Sequence, residues 1–283
     1  MTAQVNRNSL LAHLHALEGE RHRVMSPQRL ADAQAYLVRQ FTSAGLSVRL
    51  DEFSCMGMTT VNVIARCPAS RDAPRLIVGA HFDTVPNTPG ADDNASGVAA
   101  MLEAARLTAA HVPEAPVEFV GFNLEEWGMV GSGHYAARLA RERAPLLGML
   151  SLEMVGFTES QGTQRYPPVL KRFYPAVGNF IGLVANRRSK PLLHTAERAM
   201  RSVPDLPVET VVLPANGWLV PESRLSDHSP FWDAGYQALL VTDTAFLRNP
   251  HYHQPTDTVE TLDLAFLEKV CQGLVELVAS LTV

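Results

Sequence analysis

Apolar residues recur at helical spacing near the start of the chain. Ser9 is placed to cap a helix running toward Leu17, and Ser26-Pro27 supplies the cap and first-turn proline of a second helix ending near Ala44-Gly45. Beyond Gly45 the pattern becomes strand-like over Leu46 to Phe53 and Thr60 to Arg66, and Arg75 to Ala80 is a short apolar run suited to a buried central strand. Strand and helix then alternate: a helix over Ser96 to Ala110, a strand over Val117 to Phe122, a helix over Gly131 to Arg143 and a buried strand over Leu146 to Leu152. Further strands are expected at Val208 to Leu213 and Gln237 to Val241, with a helix at Ser189 to Arg201 and a closing helix from Leu262 to about Ser280. Residues 157 to 225 are otherwise rich in Pro and Gly and read as a loop-rich wall. The alternation predicts an α/β fold, a mostly parallel central sheet with helices on both faces.

Composition narrows this picture. With 283 residues, 46% of them apolar, the chain can bury a large core, and one catalytic domain over residues 1–283 is expected. Net charge is -5, and the one dense basic stretch, Asn186 to Lys190, is short and lacks interleaved aromatics, so nucleic acid is excluded as a partner. Cys55, Cys67 and Cys271 are odd in number and far apart, which suggests a reducing compartment and no thiolate metal site. His13, His15 and Glu18 interrupt the apolar residues of the first helix, unlike a signal peptide, and no unbroken apolar run reaches the roughly 18 residues of a membrane span. The expectation is a soluble cytoplasmic protein without a membrane partner. Nothing in the pattern gives the oligomeric state.

Candidate chemistry follows the strand ends, where open α/β sheets place their sites. His81 and Asp83 follow the Arg75–Ala80 strand, and Asp93 sits in the loop entering the next helix. Glu125-Glu126, Glu153 and His253 follow three further strands. Each has a structural reading by itself: a hydrogen-bonded histidine, a helix cap at Asp92 or Asp93, a solvated acidic loop, an ordinary turn at His253. Together they put several carboxylates and two histidines on one edge of one sheet, where the acids repel one another unless a cation intervenes. Two histidines with carboxylates and no cysteine suit Zn²⁺ or Co²⁺ better than Ca²⁺ or Mg²⁺. Asp83, two residues after His81, is placed to accept the His81 ring N–H, and Asp257 to bond loop backbone.

The ordered motifs His81-x-Asp83, Gly90-Ala-Asp-Asp-Asn-Ala-Ser-Gly97, Asn123-Leu-Glu-Glu-Trp-Gly128, Leu152-Glu-Met-Val-Gly156 and Tyr252-His253-x-x-x-Asp257-Thr258 resemble those of the M28-type zinc aminopeptidases over nearly the whole chain. The resemblance implies two divalent ions, zinc or else cobalt. Asp93 would bridge them, His81 and Glu153 would complete one site, and Glu126 and His253 the other. It further implies Glu125 as general base, a cis Asp93-Asn94 bond, a peptide substrate, and for Tyr252 either a role at the oxyanion or plain packing. The run Ser226-Asp-His-Ser-Pro-Phe231 also resembles the family. Its structural reading is a helix capped by Ser226 or Asp227, and its functional reading has His228 facing substrate. Many relatives carry Asp where this chain has Glu153. Alternatives on the same scaffold are a glutaminyl cyclase, a carboxypeptidase, an amidohydrolase and, in another class, a non-catalytic binding module. Signatures of other enzyme classes, HExxH, GxSxG, a Walker loop or a Rossmann glycine fingerprint, are missing.

Overall fold

The computed structural model describes residues 4–167 and 170–282. Eight strands form one sheet: β1 (Ser47–Cys55), β2 (Met58–Cys67), β3 (Arg75–His81), β4 (Val117–Phe122), β5 (Leu146–Glu153), β6 (Ile181–Asn186), β7 (Val208–Leu213) and β8 (Ala238–Thr242). Their order is β1-β2-β4-β3-β5-β8-β6-β7. The four central strands β4, β3, β5 and β8 are parallel, so their carboxyl ends emerge at one edge. Both flanks join the centre by antiparallel pairings, β2 on β4 and β6 on β8, which makes the sheet mixed. Met56 and Gly57, both at positive φ, turn β1 into β2.

Helices cover both faces, as the alternation predicts. On one side α1 (Arg7–Leu17), α2 (Pro27–Ser43), α3 (Gly97–Ala109), α5 (Lys190–Arg201) and α7 (Leu264–Leu281) share a core with the inner residues of the sheet. On the other, α4 (Val130–Glu142) and α6 (His228–Asp233) pack Tyr135, Leu139, Phe231 and Trp232 against Ile77, Val120, Phe122 and Met149. Among the described residues no helix is long and apolar enough to cross a membrane.

Three local expectations are corrected. The cap of α1 is Asn6, whose side chain accepts from Asn8 N and Ser9 N, so Ser9 lies inside the first turn. Residues 157–225 contain a further strand, β6, which seats β7 and carries the sheet beyond β8. Asp227 precedes α6 but makes no capping bond, and Ser226 Oγ instead donates to Glu153 Oε2 at 2.8 Å.

Candidate active site

Three parallel strands and two loops deliver the chemistry to one edge. His81 ends β3 and Glu153 ends β5. Glu125 and Glu126 follow β4, and their backbone N–H groups donate to Asp83 Oδ1 and Oδ2 at 3.1 and 3.2 Å. Asp93 lies in a kinked turn, Ala91–Ser96, that starts at left-handed Gly90, leaves helical geometry at Asp93 and Asn94 and contains a cis Asp93-Asn94 bond, as the resemblance implies. This turn is held from several sides. Asp257 accepts the N–H groups of Asp92 and Asp93 at 2.9 and 3.1 Å, while Asn94 donates to Leu152 O and accepts from Met154 N. Gly97 is required here, since a Cβ would stand 2.3 Å from Asn94 Oδ1. Asp92 points elsewhere, accepting from Gly156 N and Asn249 Nδ2.

Five side chains converge. His81 Nε2 is 3.3 Å from Asp93 Oδ1 and 3.4 Å from Glu153 Oε2, and His253 Nε2 is 3.1 Å from Asp93 Oδ2 and 3.3 Å from Glu126 Oε2. Two triads, His81-Asp93-Glu153 and Asp93-Glu126-His253, therefore share one carboxylate, with a different oxygen turned to each histidine. Glu125 stands beside them, its Oε2 4.0 Å from His81 Nε2. His81 Nδ1 donates to the Asp83 backbone carbonyl at 3.2 Å, with Asp83 Oδ1 at 3.5 Å. A carbonyl can only accept, so the Nδ1 proton is fixed and Nε2 presents a lone pair to the cluster.

Electrostatics register the crowding. Burial pushes Glu125 well above the usual carboxylate range, with Glu153, Asp227 and Glu126 adding to it against the pull of His81. Burial and Asp93 raise Glu126 to about 7, against His253. Burial would depress His253, but the Asp93 and Glu126 carboxylates that face its ring raise it to about 10. Asp93 moves down despite burial, because both imidazoles face it. Burial also keeps the Tyr252 phenol protonated far above neutral pH, helped by Asp93 and Glu126. Its ring lies 3.7 Å from that of His253.

One expectation fails on geometry. His228 is fully buried, bonds through Nε2 to Ser223 O at 2.8 Å, and meets Trp232 edge-on at 4.4 Å. Burial drops its pKa to about 3, so it is a neutral packing residue of α6 rather than a substrate contact. Its neighbour Asp227 is the one that faces the cluster. It is fully buried, and burial with Glu153 and Asp83 raises it to about 7 against the opposing charge of His81 and a contact with the Ser132 hydroxyl. Sequence reading also missed Arg21, which is buried and sends its guanidinium to the carbonyls of Leu17, Gly19, Phe82, Pro89 and Gly90. The signal for Arg21 was weak, because every partner is backbone.

The arrangement suits cations. His81 Nε2, Asp93 Oδ1, Glu126 Oε1 and His253 Nε2 are buried without hydrogen-bond partners among the described residues, and such orphaned atoms are costly unless something else satisfies them. All ligand atoms of each triad lie within 4.8 Å of one another.

Comparison with known proteins agrees. YfbL of Escherichia coli K12, described as uncharacterized, is 35% identical over 257 residues, covering 86% of this chain and 77% of that protein. Two solved structures share the fold at 18% identity. The LapA aminopeptidase of Legionella pneumophila has a TM-score of 0.79 over 98% of this chain and 72% of its own, and a glutaminyl cyclase of Macrostomum lignano has 0.76 over 97% and 88%. Residues 62–278 match the profile of peptidase family M28. The chain belongs to peptidase family M28, hydrolases acting on peptides.

Proposed function

We propose that the chain is a dizinc exopeptidase that releases residues from the free N-terminus of peptides. The observation that carries this is the pair of triads sharing Asp93, one carboxylate oxygen per triad, with unpartnered atoms turned inward. His81, Asp93 and Glu153 would hold one ion, and Asp93, Glu126 and His253 the other. The imidazole-carboxylate donor set fits zinc, with cobalt the alternative. Bound there, two divalent cations supply acidity to water and polarisation to the scissile carbonyl.

The remaining work falls to the chain. Burial gives Glu125 a raised affinity for protons, so it can take the proton of the attacking water and return it to the leaving amine. Asp83 aims Glu125 by fixing its backbone N–H. Tyr252 retains its proton and can donate to the carbonyl oxygen as charge develops there. The buried carboxylate of Asp227, with Glu153 held by Ser226, gives this side of the site an acidic character that suits a free ammonium. A reducing, cytoplasmic setting belongs to the same proposal, supported by three unpaired cysteines.

The test is mass spectrometry of zinc-loaded protein incubated with two matched peptides, one with a free and one with an acetylated N-terminus. Stepwise loss of N-terminal residues from the free peptide alone is expected. C-terminal loss would move the reading to a carboxypeptidase, and ammonia loss from an N-terminal Gln to a cyclase. Hydrolysis confined to non-peptide amides would indicate an amidohydrolase, and inertness a binding module.

A further inference from the structure

Beside the triads opens a cavity of about 130 Å³ that has Glu153 and Tyr252 in its wall. Its floor is the far part of the sheet. Ile181, Leu183, Ala185 and Val208 point into the core shared with α5 and α7. The alternate residues Gly182, Val184, Glu209 and Val211 therefore turn the other way, and all four line the cavity.

Strand register orders these residues. Glu153 pairs with Thr242, Thr242 with Gly182, and Gly182 with Glu209, which makes one row across four strands. Paired positions share a face, so the row runs about 14 Å, three strand spacings, from a cluster carboxylate to an isolated one. At its middle Gly182 contributes no side chain, which leaves the path open. The neighbouring row, Leu240, Val184 and Val211, is apolar. Tyr166 and Tyr174 also line the space, but their hydroxyls are already given to Pro175 O and Thr210 O.

Glu209 thus stands at the far end of the row, in a mostly apolar wall whose other carboxylate away from the cluster, Glu222, is exposed. Burial raises its pKa, opposed by Arg201. Arg201 is itself bonded to Glu197 and to Val208 O, and it forms no ion pair with Glu209. A half-buried acid without a partner is costly unless a cation reaches it.

We propose that this cavity receives the side chain of the substrate's first residue and that Glu209 selects lysine or arginine there. The proposal rests on the exopeptidase reading, since it assumes that the cluster holds the backbone end of the substrate. Lysine and arginine carry long apolar stems with a charge only at the tip, which matches apolar walls ending at a carboxylate. A purely aliphatic side chain of equal length fills the same walls but leaves Glu209 desolvated and unpaired.

The experiment measures kcat/KM of the zinc-loaded protein on four peptides that differ only in the first residue: lysine, norleucine, arginine and citrulline. Norleucine keeps the lysine stem without the ammonium, and citrulline keeps the arginine shape without the charge. Lysine is expected to exceed norleucine, and arginine citrulline, by about tenfold or more. Glu209→Gln should bring both ratios toward one, and Glu209→Lys should invert them, with thermal melts confirming folded protein. Norleucine matching or exceeding lysine in the wild type overturns the proposal without recourse to any variant, as does an unchanged ratio in folded Glu209→Gln. Release of norleucine and citrulline at rates equal to the charged residues would leave the exopeptidase reading intact. Release from none of the four would remove both.

Discussion

At the scale of single residues, the site separates groups that hold charge from groups that move protons. Glu125 and Glu126 are adjacent, yet only Glu126 stands within 3.3 Å of His253, and Asp83 fixes the backbone of both. Glu125→Gln is accordingly expected to lower kcat by on the order of 10²–10⁴-fold while zinc content, read by atomic absorption, stays at the wild-type level. An active Glu125→Gln enzyme would refute the assignment. Ser226 makes a different kind of contribution, because its hydroxyl orients the longer Glu153 side chain. Ser226→Ala should weaken zinc affinity about 10–100-fold, measured by competition with a chelator, with little change in fold. The ligand types and their order along the chain were legible because each follows a strand. Asp227 was not, since an acid before a helix reads as a cap and only burial beside Glu153 shows otherwise.

At the scale of elements, the bridging turn is positioned from outside itself. Arg21, in the link between α1 and α2, bonds to Phe82 O behind His81 and to Pro89 O and Gly90 O ahead of Asp93, so it ties both ligand-bearing loops to the helical pair. Arg21→Met would strand those carbonyls in a buried place. A loss of at least about 3 kcal/mol in urea unfolding is expected, together with weaker zinc binding. Arg21→Lys should recover only part of this, because one ammonium cannot match a planar fork spread over five oxygens. Recovery to wild-type stability would show that charge alone suffices. The central strands were legible as unbroken apolar runs. β6 was hidden, because Gly182 interrupts its pattern within a Pro- and Gly-rich stretch and its pairing is set by distant β8 and β7. Contacts made to backbone carbonyls, as by Arg21, leave no trace in a pattern of side chains.

At the scale of the whole molecule, the cluster couples stability to pH and to metal. In the metal-free chain Glu126, Asp227 and Asp257 keep protons up to about pH 7, whereas unfolded carboxylates release them near about pH 4. The folded state therefore holds more protons across that interval, and stability falls as pH rises through it. His253, raised to about 10, continues the decline from its unfolded value upward. His13 and His228, depressed to about 4 and about 3, act oppositely below their unfolded value, where the unfolded chain takes the extra protons. Urea midpoints of the metal-free protein should thus be highest near about pH 4, where the two opposing sets balance, and decline from there toward pH 10. Saturating zinc should raise them and flatten the alkaline limb, since cations replace the protons on the same atoms. A metal-free protein that grows more stable from pH 7 to 9 would contradict this. The spread of the ligands along the chain has one more consequence, which concerns the order of synthesis. His81 and Asp93 leave the ribosome some 160 residues before His253, and the helix that follows His253, α7, packs against α3 directly behind the bridging turn. A nascent chain presents two of the three residues of the first triad long before either triad is whole, so on the dizinc reading the second ion would be captured only after His253 has emerged and α7 has packed on α3.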